Sequence, residues 1–141
     1  MVGDEKFIEQ CKVWRSRFGS DFFTSFPLLI SALDGLDNQL EKIPEMVNRA
    51  KSIATLLYKI PQLKVNTPQT NGFFIFTEGN INKLNDKASK LNQELGLKLF
   101  NNFSQTEKAN LLMAEIQVGA EHQLITNQEV SDYFRQLFVN D

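Results

Sequence analysis

The sequence is poor in the residues on which much catalytic and metal chemistry rests, with one histidine, one cysteine and one tryptophan in 141 residues. A lone histidine, His122, excludes metal sites built on paired histidines and any nucleophile–base pair that needs a second imidazole. A lone cysteine, Cys11, cannot close an internal disulfide, which fits a reducing compartment. Neither sign of charge is in excess: 15 Lys and Arg against 17 Asp and Glu give a formal charge of −2. Without a clustered run of either sign there is no electrostatic footprint for nucleic acid, and none for an anionic membrane. Long apolar runs are also lacking. The longest, residues 26–33, is interrupted by Pro27 and Ser31 and falls far short of the ~20 residues that span a bilayer. The first residues carry two acids and lack the basic-then-apolar order of a signal peptide, so the expectation is a cytoplasmic protein. Gly-x-Gly-x-x-Gly and Gly-x-x-x-x-Gly-Lys are both missing, and with them any signalled backbone cradle for phosphate.

What is present is ordinary globular material, 42% apolar and 23% charged, enough to bury a core without metals or disulfides. Phe7, Cys11, Trp14 and Phe18 fall at steps of four, three and four, which predicts a helix over 5–18. A second helix is expected over about 25–37, with Pro27 in its first turn and Phe26, Leu29, Ile30, Leu33 and Leu36 as its core face. Pro44 opens a third, striped by Ile43, Val47, Ala50, Ala54 and Leu57 and ending before Pro61. The pattern then changes. Strands are predicted at 64–65, 72–77, 97–100 and 111–118, the last with Leu112, Ala114, Ile116 and Val118 on one alternating face. Between the second and third strands, Ile81, Leu84, Ala88, Leu91 and Leu95 restore a helical stripe, with Gly96 placed for a left-handed cap. Thr126 and Glu129 form a capping box that opens a last helix, with Val130, Phe134 and Leu137 inward. The expected fold class is therefore α+β: N-terminal helices over 1–60, then a small, mainly antiparallel sheet over 61–141 packed against two helices.

Few residues stand out as chemistry. His122 follows a strand, where a surface or capping role is the simplest reading, and Cys11 lies on an apolar helical face as a packing thiol. Asp34 and Asp37 have the spacing of a solvated helical face. No metal cluster is signalled. Trp14, Arg15, Arg17, Gly19 and Thr24 are less ordinary, because two guanidiniums beside a helix break and a following helix start could hold a phosphate or carboxylate. The same two arginines read equally well as the solvated end of an amphipathic helix.

At this cluster the chain resembles a known family. Phe7-Ile8-Glu9, Trp14-Arg15-Ser16-Arg17-Phe18-Gly19, Phe23-Thr24-Ser25-Phe26-Pro27 and Ser31-Ala32-Leu33 resemble the stretch that follows the cofactor lysine in threonine aldolases and related β-eliminating lyases. Ile60-Pro61-Gln62-Leu63-Lys64-Val65 and Pro68-Gln69-Thr70-Asn71 resemble that family's passage from its long helix into its small C-terminal domain. Glu115-Ile116-Gln117-Val118-Gly119-Ala120 is similar to a late strand and turn. The chain departs from the family's pattern at Gly19-Ser20, where members usually carry two glycines, and at Phe23, where others carry a cation.

The resemblance implies the latter part of a pyridoxal-phosphate enzyme of the aspartate aminotransferase-like fold. Residues 1–60 would correspond to the end of the large domain and the connecting long helix, and 61–141 to the small domain. The implied parent reaction cleaves a β-hydroxy-α-amino acid to glycine and an aldehyde. The family's Schiff-base lysine lies upstream of the Trp-Arg region, and no lysine here matches its motif, so the expectation is a truncated product, split gene or fragment. Such a chain has no catalytic residue of its own, binds no pyridoxal phosphate alone and is inactive by itself. Arg15, Arg17 and Thr24 would then be cofactor-binding contacts near the phosphate, and the partner a missing N-terminal domain or a second copy in a homo-oligomer. Two other readings stand beside it: an interaction module that keeps the small-domain fold, and a small enzyme using His122 with Glu115 or Glu121.

Overall fold

The computed structural model describes residues 3–19 and 26–138. The elements run α1 (Glu5–Arg17), α2 (Phe26–Asn38), a 3₁₀ turn (Leu40–Lys42), α3 (Ile43–Leu57), β1 (Lys64–Val65), β2 (Gly72–Glu78), α4 (Ile81–Leu95), β3 (Ser104–Gln105), β4 (Leu111–Gln117), α5 (Glu121–Leu124) and α6 (Asn127–Phe138). Packing divides the chain into two compact units, 1–41 and 42–141. The residue pattern changes at 60/61, but α3 packs on α6 and on β2 and so shares the second unit's core.

The first unit holds α1 and α2. Asp4 caps α1 by accepting the Phe7 N–H at 2.9 Å, one of the donors that a helix start leaves unpaired. The apolar stripes expected for both helices exist, yet no residue of either helix is buried. Phe26, Leu29, Ile30, Leu33 and Leu36 are all exposed, which corrects the expectation that this face lies in a core. Phe22, Phe23 and the expected start of the second helix at Ser25 lie outside the described residues.

The second unit is built as the sequence predicts, with one substitution among the strands. Four strands form an antiparallel sheet in the order β1-β2-β4-β3. Alternation along β2 and β4 turns Phe73, Ile75, Thr77, Leu112, Ala114 and Ile116 inward, since successive side chains leave opposite sides of a strand. Onto that face α3 brings Ala50, Ile53, Ala54 and Leu57, α4 brings Ala88 and Leu91, and α6 brings Val130, Tyr133, Phe134 and Leu137. The other face is only partly wet. Phe74 and Phe76 lie on it with ring centroids 6.5 Å apart.

Helix ends follow local chemistry. Gly96 takes φ 61° at the end of α4, a left-handed conformation that a Cβ would strain. At α6, Glu129 accepts the Thr126 N–H at 2.7 Å while Thr126 Oγ1 accepts the Glu129 N–H at 3.2 Å, a complete capping box.

The strand expected at 97–100 does not form; the short third strand is Ser104–Gln105 instead. Leu99, Phe100 and Phe103 are buried by packing, not by pairing. Phe100 stacks on Phe134 at 5.8 Å and meets Phe103 and Tyr133 edge-on. An apolar run of four residues has the same sequence signature whether it enters a sheet or plugs a core.

Candidate functional site

Arg15 and Arg17 occupy the last turn of α1, both exposed. Two residues apart on a helix is a rotation of about 200°, so their guanidiniums leave opposite sides and do not converge. Arg17 lies over the Trp14 ring, its Cζ 5.2 Å from the centroid, a cation–π arrangement, and Trp14 in turn stacks on Phe18 at 5.7 Å. Thr24 lies outside the described residues.

The second unit brings other titratable groups together. His122 lies on α5, and its main-chain carbonyl accepts from Arg49 Nε at 3.0 Å. Arg49 also donates from Nη1 to Asn127 Oδ1 at 2.5 Å and from Nη2 to the Ile125 carbonyl. One α3 side chain thereby fastens the whole α5–α6 junction. The His122 ring accepts the Gly119 N–H at Nδ1, 3.3 Å away. Its Nε2 is buried with no hydrogen-bond partner among the described residues. Burial pushes the imidazole below its ordinary pKa, and the Arg49 charge adds to this; the Leu99 backbone and the Glu121 carboxylate oppose it.

Two cavities meet this ring. One, of about 440 Å³, opens on the partly wet sheet face between Phe74, Glu115 and Lys98. The other, of about 510 Å³, lies between Leu95, Glu121 and Asp132. His122 and Glu115 line the first cavity and His122 and Glu121 the second, so each pair named from sequence shares a cavity wall. The ring nonetheless turns its lone pair to Gly119 and buries its other nitrogen, which leaves no free base aimed at either cavity. Cys11 stays a half-buried helical thiol with no described partner in chemistry. Among the described residues no group of His, Cys, Asp and Glu is arranged to hold a metal ion, and no helix is long and apolar enough to cross a membrane.

Arg49 escaped sequence reasoning. Its partners lie more than 70 positions away, and nothing local marks it except being the one arginine among the apolar positions of α3.

No family model and no curated protein sequence matches the chain. Two solved structures do. One, from Exiguobacterium sp. 255-15, is assigned as an aromatic amino acid β-eliminating lyase/threonine aldolase, with a TM-score of 0.79 at 21% identity. The other, from Listeria monocytogenes EGD-E, is assigned as an L-allo-threonine aldolase, with a TM-score of 0.79 at 23% identity. Each match covers 96% of this chain. The chain shares the fold of part of these lyases. It spans 38% of their length, so the helices followed by a four-stranded antiparallel sheet are a portion of a larger architecture in those proteins.

Proposed function

We propose that these 141 residues are the portion of a threonine aldolase-type, pyridoxal-phosphate-dependent amino-acid lyase that lies beyond its cofactor lysine, with 1–60 ending the large domain and 61–141 forming the small one. The observation that carries this reading is the match of 96% of the chain to 38% of two such structures, coinciding with the Trp14-to-Phe18 and Ile60-to-Val65 resemblances. The described residues do not by themselves fit the cofactor. Arg15 and Arg17 diverge from an exposed helix end and form no common cradle for a phosphate. When bound in a complete site, the cofactor would supply an electron sink for the α-carbon. In that site Arg15, Arg17 and Thr24 would contribute contacts to its phosphate. Alone, the chain is inactive.

Borohydride reduction after incubation with pyridoxal phosphate, followed by peptide mapping, tests this. The expected result is no stoichiometrically labelled lysine and no glycine released from threonine. One fully labelled lysine with a matching absorbance band would overturn it.

A second reading, an interaction module that keeps the fold, is favoured by the first unit, whose two helices carry no fully buried residue. The coding sequence directly upstream separates the two. A cofactor-lysine motif in frame supports the lyase, and an unrelated domain there supports the module.

A further inference from the structure

His122 joins three segments through one ring. Its main-chain carbonyl is held by Arg49 from α3, its main-chain N–H donates to the Gly119 carbonyl at 3.2 Å, its Nδ1 accepts the Gly119 N–H at 3.3 Å, and the residue lines both cavities together with Lys98. We propose that His122 is a proton-operated latch: as the neutral ring it holds the Gly119 N–H, and once protonated it lets that N–H go and loosens the turn where the two cavities come together. This does not depend on the lyase reading.

The argument begins with the inventory of a neutral imidazole, which has one donor and one acceptor. Holding the Gly119 N–H uses the acceptor, so the proton sits on Nε2, buried and unpartnered. Adding a second proton sets an N–H donor against the Gly119 N–H donor, and the bond is lost.

The new charge is also poorly received. Arg49 meets it from α3 with the same sign, and Lys98, from the segment after α4, shares both cavity walls with it. The Leu99 backbone and Glu121 on α5 favour the charge, and Glu115 on β4 and Glu129 and Asp132 on α6 also line the cavities. Burial and Arg49 outweigh the opposing groups, so the neutral ring is the favoured form.

Opening disturbs little else. α5 is a single turn with no buried residue, while Arg49 grips the carbonyls of His122 and Ile125 and the Asn127 side chain independently of the ring. The ring and the turn from 119 to 121 move, and the sheet remains.

Amide hydrogen exchange read by NMR, corrected for intrinsic rates, tests the latch from pH 7.5 downward through the His122 titration, which the ring nitrogen shifts follow in the same samples. The expected result is a fall of about tenfold or more in Gly119 protection with the Ile75 and Ile116 amides unchanged. His122→Asn, whose side-chain oxygen accepts without titrating, should show Gly119 protection independent of pH. No fall in the unmodified protein, an equal fall in His122→Asn, or a parallel loss at Ile75 and Ile116 would each overturn the proposal. If the variant does not fold, the ring nitrogen shifts of the unmodified protein replace it: titration of His122 must coincide with the Gly119 change, and titration without that change overturns the latch.

Discussion

Asn85 on α4 meets the backbone of Phe103 twice, donating from Nδ2 to its carbonyl at 3.0 Å and accepting its N–H at Oδ1 at 2.8 Å. A side chain thus supplies what a neighbouring strand would, and the irregular run carrying Leu99, Phe100 and Phe103 can be buried without joining the sheet. Asn85→Ala removes both partners and leaves a donor and an acceptor stranded at about 1–3 kcal/mol each. The expected loss in urea unfolding is about 2–6 kcal/mol. Asn85→Asp, which keeps only the acceptor, should fall between the two. Equal midpoints for Asn85→Ala and the unmodified protein would mean that water replaces the side chain.

Phe134 is fully buried and lies in contact with both Phe100 and Tyr133. Truncation to alanine removes a ring from the middle of the core and leaves a cavity, so Phe134→Ala is expected to cost about 3–5 kcal/mol, a large part of a typical domain's total. Phe18→Ala, at an aromatic residue 77% exposed, should cost under about 0.5 kcal/mol. Thermal unfolding of both variants checks the contrast. A reversed order would mean that the second unit is not the independently stable core.

Where local chemistry decides, the sequence was legible. The Gly96 cap, the Thr126–Glu129 box and the alternation of Leu112, Ala114 and Ile116 each rest on residues within a few positions of one another. Two readings failed for opposite reasons. Residues 97–100 looked like a strand because an apolar run does not say whether it pairs or packs, and here Phe100 packs on Tyr133 and Phe134, residues from another element. Conversely, the stripes of α1 and α2 predicted the helices but not their burial, because periodicity tells which side of a helix is apolar and not what covers it. At the candidate site, the neighbourhood of His122 with Glu115 and Glu121 followed from strand and turn placement. The orientation of its ring did not, since that is set by the amide of Gly119.

Tyr133 donates its phenol hydrogen to Asn92 Oδ1 at 2.7 Å across the α4–α6 contact, and burial pushes its pKa up to about 12. An acid whose folded pKa is raised binds its proton more tightly folded than unfolded. Its contribution to stability is therefore complete below pH ~10 and is lost as pH rises toward 12. Denaturant midpoints should fall over that window in the unmodified protein and fall less in Tyr133→Phe. At pH 7 the same variant strands Asn92 Oδ1 and should lose about 1 kcal/mol. A midpoint that declines identically in both proteins above pH 10 would assign the alkaline loss to other groups.

The first unit gives the last expectation. Trp14, Phe18, Phe26, Leu28, Leu29, Ile30, Leu33 and Leu36 are each more than half exposed, and an apolar surface of that extent is beyond what monomeric proteins usually leave in water. The chain is therefore expected to self-associate, with a sedimentation coefficient that rises with concentration and with binding of a dye specific for apolar surface. Replacing Leu29 and Leu33 together by Asp places two charges on α2 and should weaken association at least tenfold, since either charge would have to be desolvated in any apolar contact. Because the second unit carries its own core, its unfolding free energy should change by less than about 0.5 kcal/mol in the same variant. That pairing separates an interface effect from a folding effect. A strict monomer at high concentration that binds no dye would remove the first unit as a docking element, and with it the observation that favours the module reading.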